Sequence, residues 1–176
     1  MMMTSAASSS YPRAAVSVVI LSESSGRFVL VQRGREPNKG LWSLPGGKIE
    51  WGEPTLAAAQ REVLEETRLG PNLVWYQDGA FCVTDSITTP SSSSSSGSKK
   101  DDDSNAPPKF HCVICQCFAT TPTEEQLQPN DDAADAAWHS VDEVRQRLEQ
   151  SEMTPGVLQV LEKAQTLYDK GLLPCT

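Results

Sequence analysis

The stretch from Leu44 to Leu69, LPGGKIEWGEPTLAAAQREVLEETRL, constrains this chain more than any other. It opens on an adjacent glycine pair, Gly46 and Gly47, and closes on Glu62, Glu65 and Glu66, three glutamates within five positions. Pro54 has its φ fixed near the helical value and lacks an N–H that a first helical turn leaves unpaired. It is therefore expected as the first helical residue, with Glu53 as the cap before it. From there to Thr67 nothing breaks a helix, and alanine, leucine, glutamine, glutamate and arginine all favour one. At about 100° per residue, Leu56, Ala59, Val63 and Leu64 share the side expected to be buried. Glu62, Glu65 and Glu66 fall nearly opposite, as i, i+3 and i+4 neighbours. Two of those pairings bring like charges together at roughly 0.2–0.5 kcal/mol each, and Arg61 beside Glu65 offsets part of that cost.

An acidic helix face is ordinarily just a solvated one. The glycine pair changes the reading, because a turn without Cβ atoms lets backbone groups approach a ligand closely. Three clustered carboxylates plus a backbone carbonyl suit a hard divalent cation, Mg2+ or Mn2+, which favours oxygen ligands. Metal-assisted phosphate chemistry is the sharper expectation.

The same stretch resembles the signature box of the Nudix hydrolases: Gly, five residues, Glu, seven residues, then Arg-Glu-apolar-any-Glu-Glu-any-Gly-apolar. Gly47, Glu53, Arg61, Glu62, Val63, Glu65, Glu66 and Leu69 match it in register. One position departs: the late glycine is Arg68, with Gly70 arriving two residues on. That glycine would end the helix in a left-handed conformation. A non-glycine there costs ~1 kcal/mol, although a cation suits a helix C-terminus. The resemblance implies an α/β Nudix fold, a mixed β-sheet sandwiched between α-helices. It also implies Mg2+-dependent (or Mn2+-dependent) hydrolysis of a nucleoside diphosphate linked to another moiety. By the same matching, Glu62, Glu65 and Glu66 would hold the metal with the carbonyl of Gly46 or Gly47. Glu65, Glu62, Arg61 and Glu53 would form the catalytic set, Arg61 pairing with Glu53 to hold the box in shape. The general base would be a box glutamate or an acid of a distal loop, for which Glu124, Glu125, Asp132 and Asp135 are candidates.

At 176 residues with formal net charge −8, the chain suits one domain and is poorly disposed to loose binding of nucleic acid or an anionic membrane. No apolar run reaches the length of a membrane span. Residues 1–11 read as a disordered tail too short for convincing organellar targeting, 12–171 as the Nudix domain, and 172–176 as a short tail. Ala14–Leu21 and Arg27–Gln32 read as a hairpin across Ser22–Gly26. The segment that follows carries Arg33, Arg35, Lys39 and Trp42, either candidates for binding the substrate or, respectively, three surface charges and a core anchor. Leu73–Tyr76 and Ala80–Thr84 read as strand around a turn or bulge at Gln77–Gly79, and Phe110–Thr120 as another strand. Between them, at about 86–108, a serine-rich stretch is too poor in apolar side chains to order itself. Ser140 with Glu143 forms a capping-box pattern. Helices are expected at Val141–Leu148 and Pro155–Tyr168.

Five cysteines and no secretory signal suit reduced thiols in the cytoplasm. Strand alternation separates Cys112 from Cys115 and Cys117, which favours buried thiols over a zinc site. The segment Asp131–Trp138 resembles Nudix proteins related to ADP-ribose pyrophosphatases. This favours ADP-ribose or a related nucleotide-sugar, cleaved to AMP and sugar phosphate, as the small-molecule partner of a monomer or homodimer. Against it, no proline stands between Asn72 and Thr89, where one ADP-ribose-specific subset carries a marker. The alternatives are a pyrophosphohydrolase for oxidised nucleoside triphosphates, or a nucleotide-binding protein without catalysis.

Overall fold

A computed structural model describes residues 11–36, 38–88, 108 and 110–175. Its strands are β1 (Arg13–Ser22), β2 (Phe28–Arg33), β3 (Trp42–Ser43), β4 (Val74–Thr88), β5 (Phe110–Thr121) and β6 (Ala133–His139). Its helices are α1 (Thr55–Thr67), α2 (Val141–Glu149) and α3 (Val157–Asp169). The strands form one mixed sheet in the order β3-β2-β1-β5-β4, with β6 also pairing β2. Only the β1–β5 pairing is parallel among the named strand pairs. A strand buried on both faces reads as a continuous apolar run, which explains AVSVVIL in β1. Val19 and Leu21 face a core with Phe118 and, from α3, Val157, Val160, Leu161 and Ala164. Val16, Val18 and Ile20 face the opposite core, with Ala58, Ala59 and Val63 of α1. Helices thus cover both faces of the sheet, as expected.

The expected strands and helices are present, with instructive differences at their ends. Pro54 is the cap of α1 (φ −65°, ψ 146°) rather than its first residue, and no side chain caps that helix. Glu53 is drawn instead to Arg61 and to the Glu50 N–H. The bulge expected near Gln77–Gly79 is there: the β4–β5 register slips between Trp75 and Ala80, then again before Cys82. Strand β4 runs on to Thr88, so residues 86–88 are ladder rather than loop, paired with Phe110–Cys112. The remainder of the serine-rich stretch, apart from Pro108, lies outside the described residues, as do residues 1–10 of the expected tail. Helix α3 starts two residues later than expected, because Gly156 takes a left-handed φ of 90° and turns the chain before Val157. Ser140 and Glu143 form the reciprocal capping box of α2.

Trp42, a candidate for the substrate, belongs to the core. It is 6% exposed and packs among Leu30, Leu44 and Val144. Its ring meets His139 edge-on at 4.8 Å, and the Arg147 guanidinium lies 4.8 Å over it. Arg147 Nε donates to His139 Nε2 at 3.1 Å, which leaves His139 Nδ1 to donate to the Ala137 carbonyl, also at 3.1 Å. Burial lowers the pKa of His139 from its ordinary value and keeps the ring neutral in this arrangement. Trp42→Ala should therefore cost about 3–5 kcal/mol of stability, read as a lower urea midpoint with unchanged slope. A loss under about 1 kcal/mol would contradict the core assignment.

Candidate active site

The glycine pair reaches the sheet before the helix does. Val18 N donates to Pro45 O and Val16 N to Gly47 O, each at 2.9 Å, and Ile49 N donates to Ala14 O at 3.2 Å. The segment Pro45–Ile49 therefore runs along β1, and α1 returns over it. Close approach to backbone requires the first glycine, and the second lies hard against a side chain. Gly46 holds φ 151°, and a Cβ there would collide with Val16 O and, at 2.7 Å, with Ser17 Cα. A Cβ on Gly47 would run into the Glu62 carboxylate.

Ala59 and Val63 are buried as expected, and Leu56 packs against the same core, but the close approach buries two of the glutamates as well and leaves Leu64 outside. Glu62 and Glu66 are 9% and 6% exposed, whereas Leu64, expected in the core, is 46% exposed. The helix buries Ala58, Ala59, Val63 and Thr67 against the sheet and turns Glu62 and Glu66 toward the glycine turn. Glu66 Oε2 accepts the Gly46 N–H at 2.9 Å.

Arg61 binds the acids together. Its Nε and Nη2 donate to the two oxygens of Glu53 at 2.8 and 2.9 Å. Its Nη1 reaches Glu62 Oε1 at 2.9 Å and Glu65 Oε2 at 3.1 Å, and Nη2 also donates to Lys48 O at 3.0 Å. Hydrogen bonds from Arg61, and then from the Glu50 N–H, hold the Glu53 carboxyl down at about 2. Burial raises Glu62 despite Arg61. Burial pushes Glu66 up to about 8, opposed by the Gly46 N–H and reinforced by the charges of Asp132 and Glu62.

Of the distal acids, Asp132 alone is brought to this cluster among the described residues, within hydrogen-bonding reach of Glu66. Glu125 Oε1 accepts from Asn72 Nδ2 at 3.1 Å, Glu124 lies 4.0 Å from Arg27, and Asp135 caps the N–H of Ala136 at 2.8 Å. Arg35 Nη2 lies 3.7 Å from Oδ1 of Asp131, the neighbour of Asp132, and both side chains are exposed. Arg33 ends β2 opposite Ala133, and Lys39 is exposed in the turn before Leu41. Sequence reasoning missed Asn130 and Gln128, which hydrogen-bond the end of α1. Their only signal was the turn composition Pro129-Asn130-Asp131-Asp132.

The profile of the NUDIX domain matches residues 11–159. The chain belongs to the Nudix family. An ADP-ribose pyrophosphatase of Methanocaldococcus jannaschii is 40% identical over 63 residues, covering 36% of this chain and 37% of that protein. A Bacillus subtilis protein provisionally named as an 8-oxo-dGTP diphosphatase is 48% identical over 50 residues, covering 28% and 31% respectively. The match thus spans roughly a third of the length of each curated relative. The NUDIX domain of Shewanella oneidensis NrtR, solved with ADP ribose, superposes with TM-score 0.63 at 20% identity, covering 89% of this chain and 88% of that one. That likeness is one of fold.

The Nudix box offers hard oxygen donors in a site short of positive charge, which fits a divalent cation. Its carboxylates do not close into a ready cage among the described residues. Arg61 holds Glu62 and Glu65, and Gly46 N–H holds Glu66. Gly47 O accepts the Val16 N–H. No helix of the described chain is long and apolar enough to cross a membrane.

The buried Glu66 gives a pH test. Between the ordinary 4.5 and about 8, the folded chain keeps a proton on Glu66 that the unfolded chain has released. More protons are bound in the folded state, so this group's contribution to stability falls as pH rises through that window. In metal-free buffer, the melting temperature of Glu66→Gln relative to the parent should rise between about pH 5 and about pH 9. A pH-independent difference would contradict the buried, protonated Glu66.

Proposed function

We propose that this Nudix chain hydrolyses the phosphoanhydride of a nucleoside diphosphate linked to another moiety, ADP-ribose or a related nucleotide-sugar, to AMP and sugar phosphate. The observation that carries the reading is the complete acid set of α1, tied by Arg61 and faced by Asp132. An acidic chain cannot hold a diphosphate through its own charge, so the reading includes a divalent cation, Mg2+ or Mn2+, held by Glu62, Glu65, Glu66 and a carbonyl of the glycine pair. When bound, that cation lowers the pKa of a water and neutralises charge developing at phosphorus.

The chain's own residues do the rest. Glu66 gives up its proton to become a ligand, which couples metal affinity to pH. Arg61 keeps Glu62 and Glu65 from recoiling from one another and is itself fixed by both oxygens of Glu53. Asp132 is the candidate base among the distal acids, since the others are directed elsewhere. Arg35, beside Asp131, offers a cation to a phosphate approaching that edge; Lys39 lies exposed on the same connection. ADP-ribose as substrate draws support from the Methanocaldococcus relative. A second reading, pyrophosphate release from an oxidised nucleoside triphosphate, draws support from the Bacillus relative. The free thiols Cys82, Cys112, Cys115, Cys117 and Cys175 support a reducing, cytosol-type setting.

Purified chain incubated with ADP-ribose and Mg2+ should release AMP, seen by chromatography and abolished by a chelator. Glu65→Gln should lower kcat by at least about 100-fold while the protein stays folded. Pyrophosphate from an oxidised nucleoside triphosphate, with no AMP from ADP-ribose, would select the second reading. Undiminished turnover in Glu65→Gln would overturn the assignment of the site.

A further inference from the structure

The four carbonyls that end α1 have no partners within the helix, and each is satisfied. Arg68 N donates to Leu64 O at 3.1 Å from a left-handed φ of 62°. Asn130 Nδ2 donates to Glu65 O at 3.1 Å, Asn130 N to Glu66 O at 3.2 Å, and Gln128 N to Thr67 O at 3.0 Å. Asn130 therefore grips the carbonyls of two metal-site glutamates with two different donors. It also opens the turn that delivers Asp132: Ala133 N returns to Asn130 O at 3.1 Å, around Asp131 at φ 55°. The far side of the turn is pinned where Gly34 N donates to Asp132 O at 2.7 Å.

We propose that Asn130 is a positioning residue. Its side-chain bond to Glu65 O locks the Asp132 turn to the end of α1, so that the Asp132 carboxylate and the box glutamates keep one fixed separation during hydrolysis. The inference rests on the hydrolase reading above and adds a residue outside the box to it. Nothing in the side chain touches the reacting atoms; Asn130 acts through Asp132. In place of the helix-ending glycine the chain carries Arg68, and the grip of residues 128–130 supplies the closure of the helix end beside it.

The test is a double-mutant cycle of Asn130→Ala and Asp132→Asn on the full chain, with kcat and KM measured for each variant. Asn130→Ala keeps the backbone bond to Glu66 O and should fold. It should lose about 10–100-fold in kcat, with KM within about threefold. Asn130→Asp, which keeps the shape but lacks the Nδ2 donor, should lose as much. In the Asp132→Asn background, Asn130→Ala should cost less than about threefold further, because coupled residues are not additive. Losses that simply multiply would overturn the proposal, as would full activity in Asn130→Asp. Amide exchange reads the latch without catalysis: the Gln128 and Ala133 amides of metal-free Asn130→Ala should exchange at least about tenfold faster. Unchanged exchange overturns the latch; a parent that cleaves no nucleotide, with accelerated exchange in the variant, retires the hydrolase reading and upholds the latch.

Discussion

The guanidinium of Arg61 directs its N–H groups at Glu53, Glu62, Glu65 and the Lys48 carbonyl, and the site takes its shape from that hub. Carboxylates removed from water repel one another and cost several kcal/mol each unless paired. Arg61 resolves this unequally. Glu53 receives two hydrogen bonds from it and stays ionised far below the usual range, held at about 2. Glu66 receives none from it, leans on the Gly46 N–H instead, and is pushed up to about 8. The site therefore combines a charged Arg61–Glu53 frame with a carboxyl that burial pushes up to about 8.

The sheet makes that frame rigid. Strand β1 is buried on both faces and hydrogen-bonds Pro45–Ile49 along part of one edge, so the glycine turn inherits the position of the core. Helix α1 packs Ala58, Ala59 and Val63 on the same strand, and small alanines let its acidic side come down onto the turn. Across the sheet, α2 and α3 enclose Trp42 and His139. Those side chains stabilise the β3 end of the connection that leads into the box.

Much of this was legible in the chain. Strands appeared as β-branched runs, the start of α2 as Ser140 with Glu143, and the box as residues in fixed register. The misread features share a cause: periodicity gives neighbours on one element, not what another element brings to them. Leu64 and Glu62 could not be sorted into exposed and buried until the glycine turn took the place of solvent beside the glutamates. Trp42, beside three cations in sequence, was open to a core or a substrate reading until its strand placed it against α2 and α3, which decides for the core. Asp132 could not be told from Glu124, Glu125 and Asp135, because a loop's acids are separated only by the backbone bonds that fix the loop. Arg68 shows the reverse case: the sequence marked the missing glycine, and the chain adopts the left-handed cap regardless.

If, as proposed, the Arg61 frame shapes the acids for a divalent cation, the effect should be seen at Glu53, which Arg61 fixes by two hydrogen bonds and which is not a proposed ligand. Calorimetric titration of Mn2+ into the parent and into Glu53→Gln compares them with no substrate present. Binding should be about 10–100-fold weaker in the variant, with the fold intact by circular dichroism. Equal affinity in the two proteins would rule out a role of the Arg61 frame in holding the cation.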